Sequence, residues 1–239
     1  MLAELKNFNP AFVDFTWGAG GSTSTLTFDL CKEAKETFGL NPNMHLTCTN
    51  MEISMIDTAL DLCKQHGITN LVSLRGDPPV GQDRWTPKDS QLTCATDLVK
   101  YIRSKHGDYF CQSVGGYPEG HPAAMITLPL EALETLSDRE KTRYSIEDNA
   151  INICRDDAFA SELAYLKTKI DAGARAIITQ MFFDIEVFTA FVSSCRQAGI
   201  LVPIIPGIMC ISTYGGFMRM VKFCKTRVPE EVGQTGWVQ

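Results

Sequence analysis

At 239 residues, 44% hydrophobic and 21% charged, the chain is long enough to bury a substantial core and reads as one soluble domain, 1–239. A formal net charge of −6 excludes sequence-independent binding to nucleic acid or acidic membranes, both of which need clustered Lys and Arg. The start, MLAELKNFNPAF, lacks a basic region followed by an apolar stretch of ~7–15 residues, and no run nears the ~18 apolar residues of a membrane span, so a cytoplasmic location is expected.

The first strand is predicted at AFVDFTW (11–17), followed by MHLTCT (44–49), NLVSLR (70–75), YFCQSVGG (109–116), AIITQMFF (176–183) and VPIIPGIM (202–209). Helices alternate with them and end on glycines that can take the left-handed conformation: Gly39, Gly67, Gly107, Gly173 and Gly199. Before Gly67, residues Met55, Ile56, Ala59, Leu60 and Cys63 mark one apolar helix face, and Phe159, Leu163, Leu166 and Ile170 do so before Gly173. Residues 123–157 are charged and loosely patterned, and read as a solvated surface insertion with a short helix around Leu130 to Leu136. Near-continuous apolar strands separated by helices imply a parallel sheet covered by helices. An open doubly wound sheet and a (β/α)8 barrel satisfy the pattern equally.

The nine cysteines are odd in number, widely spaced and set in apolar patterns such as FDLCKEA, LDLCKQH and VKFCKTR. They read as reduced core thiols; without a CxxC pair or HExxH, neither a disulfide framework nor a metal site is expected.

In parallel α/β folds the functional groups collect where strands run into helices. The exits here read TWGAGGST (16–23), TCTN (47–50), RGD (75–77), YPEGHP (117–122), QMFF (180–183) and PGI (206–208). The glycine-rich stretch resembles a phosphate cradle, but position 23 is Thr where GxGxxG needs Gly, and no Gly-Lys-Ser/Thr follows. A flexible turn ending in a helix cap explains it equally well. Arg75-Gly76-Asp77 is also an adhesion tripeptide, a reading that needs an exported chain. His45, inside a strand, reads as a hydrogen-bonded core histidine; His121, between Gly and Pro in an exit loop, favours function; Lys169, one turn from a helix end, reads as a surface lysine facing the helix dipole.

Together these exits resemble the methylenetetrahydrofolate reductase family, and its eukaryotic members most. The matching segments, FTWGAGGST, HLTCTNM, SLRGDPP, GYPEGHP, LKTKIDAGARAIITQMFFD and PIIPGIM, come in family order across most of residues 11–232. The resemblance implies a (β/α)8 TIM barrel, here with about six βα units. It also implies FAD-dependent reduction of 5,10-methylenetetrahydrofolate to 5-methyltetrahydrofolate by NADH or NADPH, in one-carbon metabolism. By the same resemblance Thr16, Trp17, His45, Arg75, Gly76, Asp77, Ala95, Tyr117, His121, Pro122 and Lys169 hold FAD. Asp77 and Gln180 act in catalysis and contact folate, and Tyr214 packs on that substrate.

The family's proton-donating Glu and its last-strand, folate-binding Arg have no counterpart here, so a barrel truncated at both ends is expected. The alternative is a fragment without catalysis that binds FAD or pairs with a complete reductase. Cys94-Ala95 stands where many members have Tyr-Ala, and 123–157 is longer than usual. Self-association into a homo-oligomer stays open.

Overall fold

The computed structural model describes residues 1–17, 24–48, 51–76, 92–229 and 232. They fall into two compact units, Met1–Gly115 with Lys169–Ala176, and Gly116–Thr168 with Ile177–Gln239.

The first unit opens with a short helix, α1 (Leu2–Asn7), and then alternates strand and helix: β1 (Val13–Phe15), α2 (Ser24–Glu36), β2 (Pro42–Thr47), α3 (Ile53–Gln65), β3 (Asn70–Leu74), α4 (Ala95–His106) and β4 (Cys111–Gly116). Neighbouring strands pair in parallel, with Phe15 opposite Met44, Met44 opposite Leu71 and Leu71 opposite Gln112. Met44, Leu46, Leu71 and Val72 are buried, as strands covered on both faces must be. Ile56, Ala59, Leu60 and Cys63 of α3 face this core at spacings i, i+3, i+4 and i+7. Met55 does not share their face and is 40% exposed, because it lies about 100° around the helix from Ile56.

The predicted glycine stops hold: Gly39, Gly67, Gly107, Gly173 and Gly199 all have positive φ. At Gly67 (φ 64°) the left-handed turn lets the next residue close the helix, Ile68 N–H donating to Cys63 O at 2.8 Å.

In the second unit residues 123–157, charged and loosely patterned in sequence, form ordered structure. It holds β5 (Ile126–Pro129), a 3₁₀ turn at Leu130–Thr135 where the short helix is expected, α5 (Asp138–Lys141), β6 (Ser145–Glu147) and β7 (Ala150–Ile153). The three strands form an antiparallel sheet in the order β5-β7-β6. Asp148 and Asn149 (φ 50° and 62°) make the two-residue turn that pairs Glu147 with Ala150. Leu136, Ile151 and Ile153 form its own small core with Leu128, Leu130, Leu133 and Tyr144. Ser137 and Glu140 build a reciprocal capping box at α5.

Beyond it come α6 (Asp156–Asp171), β8 (Ala176–Met181), α7 (Ile185–Gln197), β9 (Ile204–Gly207) and α8 (Tyr214–Cys224). The strands β8 and β9 pair in parallel, Ile177 opposite Ile204, with an irregularity between Ile178 and Met181. Six parallel strands with their helices make this an α/β fold, consistent with an incomplete (β/α)8 barrel. No disulfide joins the nine cysteines, but only Cys31, Cys48, Cys63, Cys154, Cys195 and Cys224 are buried; Cys111 and Cys210 are exposed. Among the described residues no helix is long and apolar enough to cross a membrane, and no cluster of His, Cys, Asp and Glu could hold a metal.

Candidate active site

In the first unit the strand exits place several expected residues. Thr16 follows β1, its carbonyl accepting from Thr27 Oγ1 at 3.0 Å. Trp17 is buried, and its Nε1–H has no hydrogen-bond partner among the described residues. The register of β1 against β2 puts Asp14 opposite Asn43. Asn43 Nδ2 donates to Asp14 Oδ1 at 2.7 Å, and His45 Nε2 lies 3.5 Å from the same oxygen. Sequence reasoning missed Asp14; the signal was a carboxylate two residues before Thr16, on a face shared only once the register is known.

Arg75 is exposed just past β3, and its carbonyl accepts from Cys48 Sγ at 3.6 Å. Burial pushes the Cys48 thiol up to about 12, so it stays neutral. Gly76 has φ 94°, a conformation side chains resist. Ala95 opens α4 and is buried. Lys169 overturns the surface reading: it is 8% exposed, and its ammonium donates to Gly115 O at the end of β4 at 3.4 Å. Asp77, Gly18 to Thr23, Thr49 and Asn50 lie outside the described residues.

In the second unit the loop after β4 brings Tyr117 and His121 together edge to face, ring centroids 4.5 Å apart. His121 Nδ1 accepts from Ala123 N–H at 3.1 Å, capping the turn that Pro122 starts, which puts the ring proton on Nε2. Gly120 (φ 99°) is tight against Cys154, whose Cβ a side chain there would overlap. Gln180 follows the same logic on β8: its side-chain oxygen accepts from Met181 N–H at 2.9 Å. Tyr214 begins α8 and is half exposed.

Between Tyr117 and His121 sits the residue that sequence reasoning passed over. Glu119 is 6% exposed; Oε2 accepts from Arg227 N–H at 2.9 Å, whereas Oε1 is buried without a partner among the described residues. Burial pushes its carboxyl up to about 8, outweighing the Arg227 N–H and charge, with Asp184 adding to the rise. Glu119, Tyr117, Gln180, Met181 and Thr226 line a cavity with room for about one water. Tyr214 lines none of it. A larger cavity of about 800 Å3, among α5, α6 and α7, is lined by none of the expected site residues.

Each unit thus gathers polar and aromatic side chains at strand exits over an apolar core. The family profile for methylenetetrahydrofolate reductase matches residues 1–235. The chain belongs to the methylenetetrahydrofolate reductase family. It is 45% identical over 231 residues to methylenetetrahydrofolate reductase (NADH) 1 of Arabidopsis thaliana, covering 97% of this chain and 35% of that protein. Methylenetetrahydrofolate reductase 2 of Saccharomyces cerevisiae is 43% identical over 222 residues, 92% of this chain and 32% of that protein. The 5,10-methylenetetrahydrofolate reductase of Escherichia coli is 30% identical, with 98% of this chain and 65% of that protein covered. The chain therefore spans about a third of the length of the plant and yeast family members it matches.

Proposed function

We propose that the chain binds FAD and serves the reduction of 5,10-methylenetetrahydrofolate to 5-methyltetrahydrofolate by NADH or NADPH. The family match over residues 1–235 carries this reading. The residues present fit a flavin dinucleotide. Its pyrophosphate needs cations and close backbone approach. Arg75 is an exposed cation beside Gly76, whose φ of 94° favours a residue without Cβ. Trp17 carries a buried indole N–H without a partner among the described residues, and His121 accepts at Nδ1, which leaves its proton on Nε2. By the family resemblance, Thr16, Trp17, His45, Arg75, Gly76, Asp77, Ala95, Tyr117, His121, Pro122 and Lys169 would hold the cofactor.

When bound, FAD supplies the two-electron relay between a nicotinamide and a folate. The chain's own residues bind and orient. By the family resemblance the Gln180 carboxamide would offer one donor and one acceptor end to either ligand in turn, Asp77 would contact folate, and Tyr214 would supply an aromatic face for it. The Asp14 carboxylate beside His45 favours a proton on Nε2, which turns that edge into a donor. A cytoplasmic setting belongs to the same proposal, supported by nine cysteines without a disulfide.

Equilibrium dialysis of the soluble chain against FAD tests the reading. Retention of FAD, and its release on adding excess free FAD, is the expected result. A folded chain that retains none overturns it.

A further inference from the structure

The Glu119 side chain is the one acidic group in the second unit whose burial leaves an oxygen, Oε1, without a hydrogen bond among the described residues. Its other oxygen is committed to Arg227 N–H. The cavity it lines is shared with Gln180 and has room for about one water. Gln180 lines this cavity and carries a group of two chemically opposite ends, an oxygen that accepts and an NH₂ that donates. That oxygen already accepts from Met181 N–H at 2.9 Å and retains a second lone pair.

We infer that Glu119 sets which end of the Gln180 carboxamide is offered to a ligand. As the neutral acid it donates, through one water in the shared cavity, to the Gln180 oxygen and leaves the NH₂ for the ligand; as the carboxylate it accepts from the NH₂ and leaves the oxygen. Glu119 is then a positioning residue for Gln180. The inference rests on the proposed role of Gln180 as a ligand contact.

The surroundings permit both states. Arg227 faces Glu119 through its N–H, but its guanidinium is held by Asp184 Oδ2 at 2.9 Å and Tyr144 O at 3.3 Å. Asp184 adds negative charge from the loop before α7. Tyr117 on the same loop and Cys224 at the end of α8 line the cavity too. Cys154 packs against Gly120, and burial raises its thiol to about 11. With its carboxyl pushed up to about 8, Glu119 populates both protonation states in the neutral to mildly alkaline range.

The test uses the whole chain carrying ¹³C at Glu carboxyls and ¹⁵N at Gln side-chain amides, titrated by NMR from about pH 6 to about pH 10. Glu119 is assigned by its loss in E119Q, and Gln180 by its loss in Q180L. The expected result is a Glu119 midpoint near 8, a Gln180 amide pair that shifts with the same midpoint, and no such shift in E119Q. A Gln180 signal that stays flat through the Glu119 titration, or that moves equally in E119Q, overturns the inference. Should E119Q not fold, a candidate Glu resonance in the wild-type spectrum is identified instead with E119D, and coincidence of the two midpoints decides. FAD dialysis on the same sample separates the two readings. Coupled titration without FAD retention supports the pairing and sinks the cofactor proposal, and FAD retention with a flat Gln180 sinks the pairing alone.

Discussion

Arg227 donates its backbone N–H to Glu119 Oε2 at 2.9 Å, joining positions 108 residues apart in the chain. The Arg227 side chain makes the same kind of tie to two other segments: Nε to Asp184 Oδ2 at 2.9 Å, Nη1 to Tyr144 O at 3.3 Å, and its guanidinium 5.1 Å from the centre of the Tyr144 ring. One residue after α8 thereby fastens the exit loop of β4, the loop leading into α7, and the segment just before β6. Glu119 is consequently buried as part of a clasp, and its ionisation carries a stability cost.

The sign of that cost follows from linkage. The folded carboxyl, at about 8, keeps a proton that the unfolded chain releases near its ordinary value of 4.5. Stability from the retained neutral form is full below about pH 4.5 and is lost progressively as pH rises to about 8. The neutral isostere E119Q keeps an acceptor for Arg227 N–H and removes the ionisation. We expect the melting temperature of the wild type to fall relative to E119Q as pH is raised from about 5 to about 8, with the gap levelling off above that. Parallel melting curves across the range would show that Glu119 ionises normally in the folded chain.

Removing the Arg227 side chain isolates the other half of the clasp. R227A leaves Asp184, whose side chain is 12% exposed, without its guanidinium partner, and uncovers the Tyr144 ring. Arg227 is itself 27% exposed, so water compensates in part, and a loss of about 1–3 kcal/mol in urea unfolding is expected. R227K retains the charge but not the fork that reaches Asp184 and Tyr144 O together, and should recover less than half. Full recovery by Lys would mean that charge alone matters there.

What the sequence made legible follows the range of the physics. Six strands and five glycine stops were readable because apolar runs and left-handed turns are local properties. The sheet within 123–157 was not, because β6 and β7 have only three and four residues and their turn, Asp148-Asn149, lies in a polar stretch with no glycine to announce it. Strand exits pointed to Arg75, Tyr117, His121 and Gln180 by position. The partners did not show: His45 meets Asp14 through a strand register, Lys169 reaches Gly115 across 54 residues, and Glu119 is buried by a segment 108 residues away. Those are tertiary facts, and a helix-end lysine or a loop glutamate looks alike in sequence whether buried or exposed.

Arg75 provides the cleanest test of cofactor contact, because an exposed side chain contributes little to the fold. R75A should weaken FAD retention on the order of 10- to 100-fold, the value of one charge-assisted hydrogen bond, with the melting temperature of the FAD-free chain unchanged. R75K should restore only part of the affinity, since a point charge cannot make a bidentate contact. Unaltered FAD affinity in R75A would remove Arg75 from the proposed site.

Two glycines separate the cost of backbone conformation from the cost of crowding. Gly39 (φ 67°) ends α2 with nothing near the position of an added Cβ, so G39A should lose only the left-handed penalty, about 1–2 kcal/mol. Gly120 (φ 99°) pays that penalty and would also drive a methyl into Cys154 Cβ, next to the buried carboxyl of Glu119. G120A should therefore cost more than about 3 kcal/mol and disturb the Glu119 titration, which G39A should leave alone. The double variant G120A/C154G removes the overlap but not the strained φ. Compared with C154G alone, it should bring the cost of G120A back to roughly that of G39A. If G120A remains as damaging in the C154G background as in the wild type, the glycine is required by φ rather than by the contact with Cys154. Thermal unfolding of the four variants, read alongside the Glu119 carboxyl signal, distinguishes these outcomes.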